Sequence, residues 1–179
     1  MDERRGRFEA EVLPHLDAAY RFARWLSASP SDAEDIVQDA VLRAFRGFDA
    51  LRCADAKPWL LAIVRNCHAT AFRQQRPTVP LPEEDDARDS HAMIATTTDP
   101  ESASISSDQE RLLGRVMSAL PEVHREILIL REVEELDYRE IATVLKVPIG
   151  TVMSRLARAR AVLKTRYLDE VRGKPRAVR

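Results

Sequence analysis

Arginine and hydroxyl side chains recur at helical spacing in the segment VPIGTVMSRLARARAVLK, residues 147–164. On a period of about 3.6 residues, one face of this segment holds Thr151, Ser154, Arg155 and Arg158. Hydroxyls and guanidiniums near a helix N-terminus can bind phosphates, and arginine can also bond a guanine edge in the major groove. The pattern alone is compatible with a helix that reads DNA or with a solvated basic face.

The preceding residues favour the DNA-reading interpretation. The segment DYRE, residues 137–140, can start a short helix in which Asp137 caps the N-terminus and Glu140 bonds back to it. That helix should end near Leu145, and a tight connection then leads to the basic helix. The apolar face that packs on the first helix comprises Val152, Leu156, Ala159 and Leu163. A capped short helix, a tight turn and a basic helix together predict a helix-turn-helix unit.

A helix near residues 32–46 places Leu42 among Asp35, Gln38 and Asp39, on the face opposite its apolar stripe. A single exposed leucine is ordinary, whereas an apolar centre ringed by carboxylates and an amide can bind a protein. The two carboxylates alone suggest acid–base catalysis, but no histidine, nucleophile or metal cluster accompanies them. A surface leucine and a protein-binding patch remain open alternatives, and neither a catalytic site nor a metal site is predicted.

A further helix, starting near Pro58, has an apolar stripe on one side and a mixed face on the other. The mixed face holds Leu61, Arg65, Phe72 and Arg76, with Asn66 and Arg73 at its edge. An exposed aromatic ring among arginines can stack on unpaired bases while the guanidiniums contact phosphates. His68 is expected at the surface.

Two helices should precede that one. Apolar residues within 8–23 outline the first, and Pro14 can bend its start. The second can begin with Ser31 as its cap, or with Ser29 as its cap and Pro30 as the first helical residue. Both starts lead into the same buried stripe.

Residues 77–108 are rich in proline, acidic and small polar residues and have no apolar period, which is typical of a flexible linker. It separates an N-terminal helical domain, residues 1–76, from a C-terminal one, residues 109–179. Residues 77–110 contain nine acidic residues and one arginine, a net −8, whereas residues 150–179 contain nine Lys or Arg and two acidic residues, a net +7. This segregation indicates separate electrostatic roles within a chain of net charge −1.

Composition limits the class of protein. Only five of the 179 residues are glycine and 45% are hydrophobic, which with long helix-compatible stretches predicts an all-α fold of two small helical domains. The N-terminus has no apolar signal core, and the longest apolar run, residues 59–64, is too short to span a bilayer. Two cysteines without CxxC spacing and four scattered histidines predict no zinc site. We expect a cytoplasmic protein without a cofactor.

Three blocks resemble bacterial RNA polymerase sigma factors of the extracytoplasmic-function group of the sigma-70 family. DAEDIVQDAVLRAF, residues 32–45, resembles the core-binding segment of sigma domain two. KPWLLAIVRNCHATAFRQQR, residues 57–76, resembles the segment that recognises and melts the minus-10 element. Residues 120–163, which contain the predicted helix-turn-helix unit, resemble sigma domain four. The blocks occur in the order expected for the family and on both sides of a linker.

The resemblance implies a transcription initiation factor, not an enzyme, with core RNA polymerase, promoter DNA and an anti-sigma factor as partners. It assigns core-polymerase binding to Asp35, Gln38, Asp39 and Leu42. It assigns minus-10 binding to Arg65, Asn66, Arg73 and Arg76. It assigns minus-35 binding to Thr151, Ser154, Arg155 and Arg158. Met153 is a further minus-35 candidate because it lies beside Ser154, where it can contact a thymine methyl.

Two other functions are compatible with parts of the sequence. A stand-alone helix-turn-helix regulator needs only the C-terminal domain and duplex DNA, and it would carry a sensing or dimerisation domain at its N-terminus. A small hydrolase is disfavoured because no catalytic constellation is present. Met153 and Ala157 differ from the residues that many members of the resembled family carry, so the preferred minus-35 bases are not predicted. Thr70 differs likewise within the melting segment, so its local detail is not predicted.

Overall fold

The computed structural model describes residues 2–51, 55–75 and 105–173. Within these three ranges every regular element is a helix, which confirms the predicted all-α class. None of the described helices is long and apolar enough to cross a membrane. Most of the predicted linker lies outside the described residues, and its last four residues, 105–108, belong to a helix.

The N-terminal apolar pattern forms two helices, α1 at Asp2–Glu11 and α2 at Leu16–Leu26. A turn of 3-10 helix at Leu13–His15 joins them and contains Pro14. A proline inside a continuous α-helix lacks an amide to donate, and its ring clashes with the preceding turn. The prediction of one helix with a bent start is therefore corrected to two helices.

The next helix, α3, spans Pro30–Gly47 and starts by the second of the two predicted routes. Ser29 is the N-cap, and its hydroxyl accepts a hydrogen bond from the Asp32 amide at 3.1 Å. Phe45, which periodicity places in the buried stripe, is 37% exposed, and its ring packs edge-on against Phe8 at 5.1 Å. The residues of α3 that are buried are Ala33, Ile36, Ala40 and Ala44.

Helix α4 spans Ala56–Gln75 and is buried on two faces. Leu60 and Val64 belong to the predicted apolar stripe, and both are fully buried. Leu61 and His68, which are predicted on the exposed side, are 0% and 7% exposed, so that prediction is wrong. The reason is that the second half of the chain packs against α4, which the helical period of α4 alone cannot reveal.

The second half of the chain begins with α5 at Ile105–Ser118 and α6 at Glu122–Leu128. A five-residue π-helix at Ile129–Val133 continues α6. Four consecutive residues across this junction, 127–130, are at most 2% exposed and fill the centre of this half. Because a π-helix closes its hydrogen bonds over one more residue than an α-helix, it turns the residues that follow away from the α-helical period.

The predicted helix-turn-helix unit consists of α7 at Tyr138–Leu145 and α8 at Ile149–Val171. The Asp137 side chain accepts two amides of the first turn at 2.7 and 2.8 Å, and the Glu140 carboxylate accepts the Asp137 amide at 2.6 Å. The predicted capping box is therefore confirmed. Lys146 ends α7 in the left-handed conformation, with φ of 56°, and this residue turns the chain toward α8.

The two helical domains are in direct contact. Helix α4 packs against α7, and α2 packs against α6 and the π-helix. One hydrophobic cluster includes Phe22 and Leu61 from the first domain and Leu130 and Ile141 from the second. The contact covers part of the α4 face that the sequence assigns to ligand binding.

We predict that Asp137→Ala destabilises the second domain by about 1–2 kcal/mol, because one carboxylate caps two amides of α7. Urea denaturation followed by circular dichroism measures this loss. Asp169→Ala removes an exposed carboxylate of α8 and should cost less than about 0.5 kcal/mol. Equal stability of the two variants would contradict the role of the cap.

Candidate nucleic-acid and protein interfaces

The outer face of α8 gathers the five residues that the sequence assigns to the minus-35 element. Met153 is 54% exposed, Ser154 and Arg158 are also exposed, and Thr151 and Arg155 are half-buried. The face that packs on α7 comprises the buried residues Val152, Leu156 and Ala159. This burial fixes the rotation of α8 about its axis, so Ser154 and Arg158 face outward, with Thr151 and Arg155 at one edge of the outer face and Met153 at the other.

Arg160 is directed away from this set by an ion pair within its own domain. Its guanidinium contacts the Glu132 carboxylate of the π-helix at 2.6 Å, and this hydrogen bond raises the pKa of Arg160. At the start of α8 the N-cap is Pro148, and no side chain caps the first amides. The N-terminal end of a helix favours anions, so this end suits a phosphate beside the outer face.

The outer face of α3 presents the predicted protein-binding residues together. Leu42 is 51% exposed, and Asp35 and Gln38 are exposed beside it. Asp39 is half-buried and pairs with Arg43 at 2.8 Å. The Asp39 charge also adds to burial in raising the pKa of the Cys67 thiol to about 11, so Cys67 is a neutral core residue at ordinary pH.

An apolar groove of about 340 Å³ adjoins Leu42 and was not anticipated from the sequence. It lies between α1, α3 and the 3-10 turn that connects α1 to α2. Its apolar lining comprises Phe8, Leu13, Val41, Leu42 and Phe45, and Arg5 and Glu9 border it. Periodicity missed the groove because it treats Phe45 as core and does not separate α1 from α2. Leu42 therefore borders an open apolar groove.

The residues assigned to the minus-10 element have different surroundings along α4. Asn66 and Arg73 are exposed, and the Arg73 guanidinium donates to the Ala69 carbonyl at 3.1 Å. Arg65 is half-buried and donates to the Glu126 carboxylate of the second domain at 2.9 Å. Arg76 lies outside the described residues. The structure thus places two of these side chains in the open and one within the contact between the domains.

Glu134 is a fully buried carboxylate at the contact between the domains. Its two oxygens accept hydrogen bonds from Arg21 at 3.0 and 3.1 Å. The Lys57 ammonium contacts the same carboxylate at 3.2 Å and donates to the Glu134 backbone carbonyl at 2.7 Å. A buried charge needs such compensation, and here all of the compensating cations come from the other domain. Sequence patterns gave no indication of this cluster.

A second cluster lies at the same contact. Burial raises the pKa of Glu126, while the nearby positive charges of Arg65 and Arg155 oppose that rise. Burial also lowers the pKa of His68, which lies 3.6 Å from the Glu122 carboxylate and near Arg125. Burial disfavours the charged forms of both Glu126 and His68, so the stability of the contact depends on pH.

The outer-face carboxylates of α3 also raise the question of an acid–base pair. Among the residues that the structure describes, no group of three His, Cys, Asp or Glu side chains is placed to hold a metal ion. Two ionisable groups with shifted pKa values interact with Asp39: Arg43, whose pKa is raised by its hydrogen bond to Asp39, and Cys67, whose pKa is raised mainly by burial. Neither is a nucleophile or a general base at neutral pH.

Two family models match the chain. Residues 12–78 match Sigma-70 region 2, and residues 110–163 match Sigma-70 region 4. The first match contains α2, α3 and α4, and the second contains α6, α7 and most of α8. The matches therefore include the predicted protein-binding face, the minus-10 residues and the helix-turn-helix unit.

Relatives of known function match over most of the chain. The ECF RNA polymerase sigma-E factor of Escherichia coli K12 is 30% identical over 146 residues, which are 79% of this chain and 76% of the relative. The ECF RNA polymerase sigma factor SigW of Bacillus subtilis is 27% identical, over 87% of this chain and 86% of the relative. Among solved structures, the sigma factor RpoE of Bartonella quintana, in complex with the anti-sigma factor NepR, is similar in fold. Its TM-score is 0.66 at 24% identity, over 95% of this chain and 99% of that one.

The lowered pKa of His68 predicts the direction in which stability changes with pH. Its folded-state pKa lies below the ordinary value of 6.5, so the unfolded chain binds the proton more readily, and stability falls as pH drops below that value. Between about pH 7.5 and pH 5.5 the wild type should lose up to about 1 kcal/mol more unfolding free energy than His68→Gln. Urea denaturation at both pH values measures the difference. His15→Gln is the control and should behave as the wild type; a wild-type response in H68Q would contradict the prediction.

Proposed function

The chain belongs to the extracytoplasmic-function group of the sigma-70 family of RNA polymerase sigma factors, and we propose that it binds core RNA polymerase and directs it to a minus-10 and a minus-35 promoter element. Residues 1–76 form the domain for the polymerase and the minus-10 element, and residues 109–179 form the domain for the minus-35 element. Residues 77–108 link them. The polymerase supplies the catalysis, and the chain itself is not an enzyme.

The observation that best supports DNA recognition is the outer face of α8. A helix presented by a shorter capped helix and a tight turn fits the major groove, which is about 12 Å wide. Arg155 and Arg158 supply guanidiniums for guanine edges or phosphates, and Thr151 and Ser154 supply hydroxyls. Met153, at 54% exposed, offers the apolar contact that suits a thymine methyl.

Strand opening at the minus-10 element follows from preferential binding of unpaired bases. The Asn66 amide can bond the edge of an unstacked base, and Arg65, Arg73 and Arg76 can hold neighbouring phosphates. A protein that binds the open strand better than the duplex shifts the equilibrium toward the open strand. No chemical step is required of the chain for this shift.

The outer face of α3 and the adjoining groove form the site we assign to core polymerase. Leu42 and the apolar groove accept apolar side chains, and Asp35, Gln38 and Asp39 provide polar contacts at the edge. The acidic edge favours a partner surface with basic residues around an apolar ridge. We place the chain in the cytoplasm, where core polymerase and promoters are found.

An anti-sigma factor is a second proposed protein partner. The Bartonella sigma factor of similar fold is bound to the anti-sigma factor NepR. For this chain, a regulator that fills the groove beside Leu42 would exclude the polymerase by direct competition for the same apolar surface. A pull-down by the purified regulator that is lost in a groove variant would support this assignment.

Dependence on core polymerase distinguishes the sigma-factor proposal from the alternative of a stand-alone helix-turn-helix regulator. The purified chain is mixed with core polymerase and analysed by gel filtration. Promoters are identified by mapping transcription start sites after overexpression of the chain, and run-off transcription is then measured from them. Co-elution and new run-off products support the sigma-factor proposal. Sequence-specific binding to duplex DNA by the chain alone, without co-elution, would favour the regulator.

We predict that Leu42→Asp weakens binding to core polymerase at least about tenfold, because a carboxylate replaces the apolar centre of the α3 face. The fold should be retained, since the side chain is 51% exposed. Affinity is measured by fluorescence anisotropy with labelled chain. Leu168→Asp changes another exposed leucine, 37% exposed on α8, and should bind as the wild type. Undiminished affinity of L42D would remove this face from the proposal.

We predict that Arg158→Ala reduces the affinity of the holoenzyme for a mapped minus-35 element by about 5- to 150-fold, because one good base contact is worth about 1–3 kcal/mol. Holoenzyme footprinting at one fixed salt concentration measures the loss. Lys164→Ala removes an equal charge from the exposed surface of the same helix, farther from its N-terminus, and should have a smaller effect. Equal effects of the two changes would indicate general electrostatic attraction instead of a specific contact.

A further inference from the structure

Two buried carboxylates of the second domain hold three cations of the first. The Glu134 side chain is 0% exposed and contacts Arg21 at 3.0 Å and Lys57 at 3.2 Å. The Glu126 side chain is 6% exposed and contacts Arg65 at 2.9 Å. The carboxylates therefore lie inside the contact between the domains, and the cations reach them from its opposite side.

The three cations lie at the rim of that contact. The side chains of Arg21, Lys57 and Arg65 are 49%, 25% and 31% exposed. When the domains separate, these donors lose their carboxylates, and another anion can take the same positions. A nucleic-acid phosphate provides the charge and the acceptor oxygens that guanidiniums and ammoniums bind.

The cations are arranged along the helix that is proposed to bind the minus-10 strand. Lys57 and Arg65 are eight residues apart on α4, or about 12 Å along its axis. Arg21 of α2 joins them because it shares the Glu134 carboxylate with Lys57. Lys57 and Arg65 lie on the α4 face that meets the second domain, about 80° apart around the helix axis, and Arg65 lies between this face and the side that holds Asn66 and Arg73.

In the described arrangement a nucleic-acid strand has no access to this part of α4. Helix α7 packs against α4, and Leu61, which lies between Lys57 and Arg65, is fully buried. Arg155 of the reading helix α8 lies close enough to Glu126 for its charge to act on that carboxylate. Glu126 is therefore near cations of both proposed DNA-binding surfaces.

We propose that this arrangement is an autoinhibited closed state in which Glu126 and Glu134 occupy the positions of nucleic-acid phosphates, and that Arg21 and Lys57 bind phosphates together with Arg65 once the domains separate. The inference rests on the proposed function, because it takes the promoter strand as the nucleic acid. It adds two phosphate-binding residues and an internal competitor for them. Closure and strand binding exclude each other because they use the same donors.

The test replaces both carboxylates by amides of the same shape, in the full chain. Glu126→Gln with Glu134→Gln removes the two charges that hold the first domain. The matched control is Glu135→Gln with Glu170→Gln, which changes the net charge equally at two exposed carboxylates. Circular dichroism verifies that both double variants keep their helices.

Two readouts separate closure from competition. Small-angle X-ray scattering reports the radius of gyration, which should be larger in E126Q/E134Q than in the wild type and the control. Fluorescence anisotropy with a labelled single-stranded DNA of mixed sequence, at one ionic strength, reports strand affinity. If about nine molecules in ten are closed, affinity should rise about tenfold in E126Q/E134Q. Adding Arg21→Gln and Lys57→Gln to the opened variant should remove most of that gain.

An unchanged radius of gyration in E126Q/E134Q would overturn the closed state held by these carboxylates. Expansion with the strand affinity of the control would overturn the competition between carboxylates and phosphates. If the double variant does not keep its helices, Arg21→Gln in the wild type tests the same contact from the first domain and should also expand the chain. Failure of wild-type run-off transcription with core polymerase would instead refute the sigma-factor function, whatever the scattering shows.

Discussion

Glu134 needs partners because an ionised carboxylate away from water costs several kcal/mol unless it is compensated. Its compensation is supplied by Arg21 and Lys57, which belong to two different helices of the first domain. The placement of α2 against the π-helix, and of α4 against α7, is therefore tied to one fully buried side chain. Aliphatic residues such as Leu61 and Ile141 add area to the contact, but apolar contact alone does not specify orientation as a shared carboxylate does.

The surfaces assigned to ligands differ in how this contact affects them. The α3 face and its groove lie on the outer side of the first domain, and the outer face of α8 includes the exposed Met153 and Ser154. The α4 surface is partly covered, since Arg65 is paired and Leu61 is buried. The surfaces proposed for polymerase and duplex DNA are thus exposed in the compact arrangement, whereas the surface proposed for an unpaired strand is exposed at Asn66 and Arg73 and covered around Leu61 and Arg65. On the proposed function, this difference implies that the partners of the exposed faces bind before the strand is fully engaged.

Features that depend on neighbours in the chain were predictable. The capping box of Asp137 and Glu140, and the division of α8 into two faces, follow from hydrogen bonds and periodicity over a few residues. The burial of Leu61 and His68 was not predictable, because the packing of the second domain against α4 leaves no signal in the helical period of α4. The same holds for the pair of Arg21 and Glu134, which are 113 residues apart. A charged residue whose partner is distant in the sequence leaves no periodic pattern, because the fold determines which residue becomes its partner.

The π-helix at Ile129–Val133 determines where the Glu134 backbone lies, because the Glu134 amide bonds to the Ile129 carbonyl at 2.9 Å across five residues. Loss of a single residue here would restore the α-helical period and turn the following side chain by about 100°. A relative could then retain a glutamate and yet point it elsewhere. Among homologous chains, the length of this segment is therefore at least as good an indicator of the contact as the presence of a glutamate at this position.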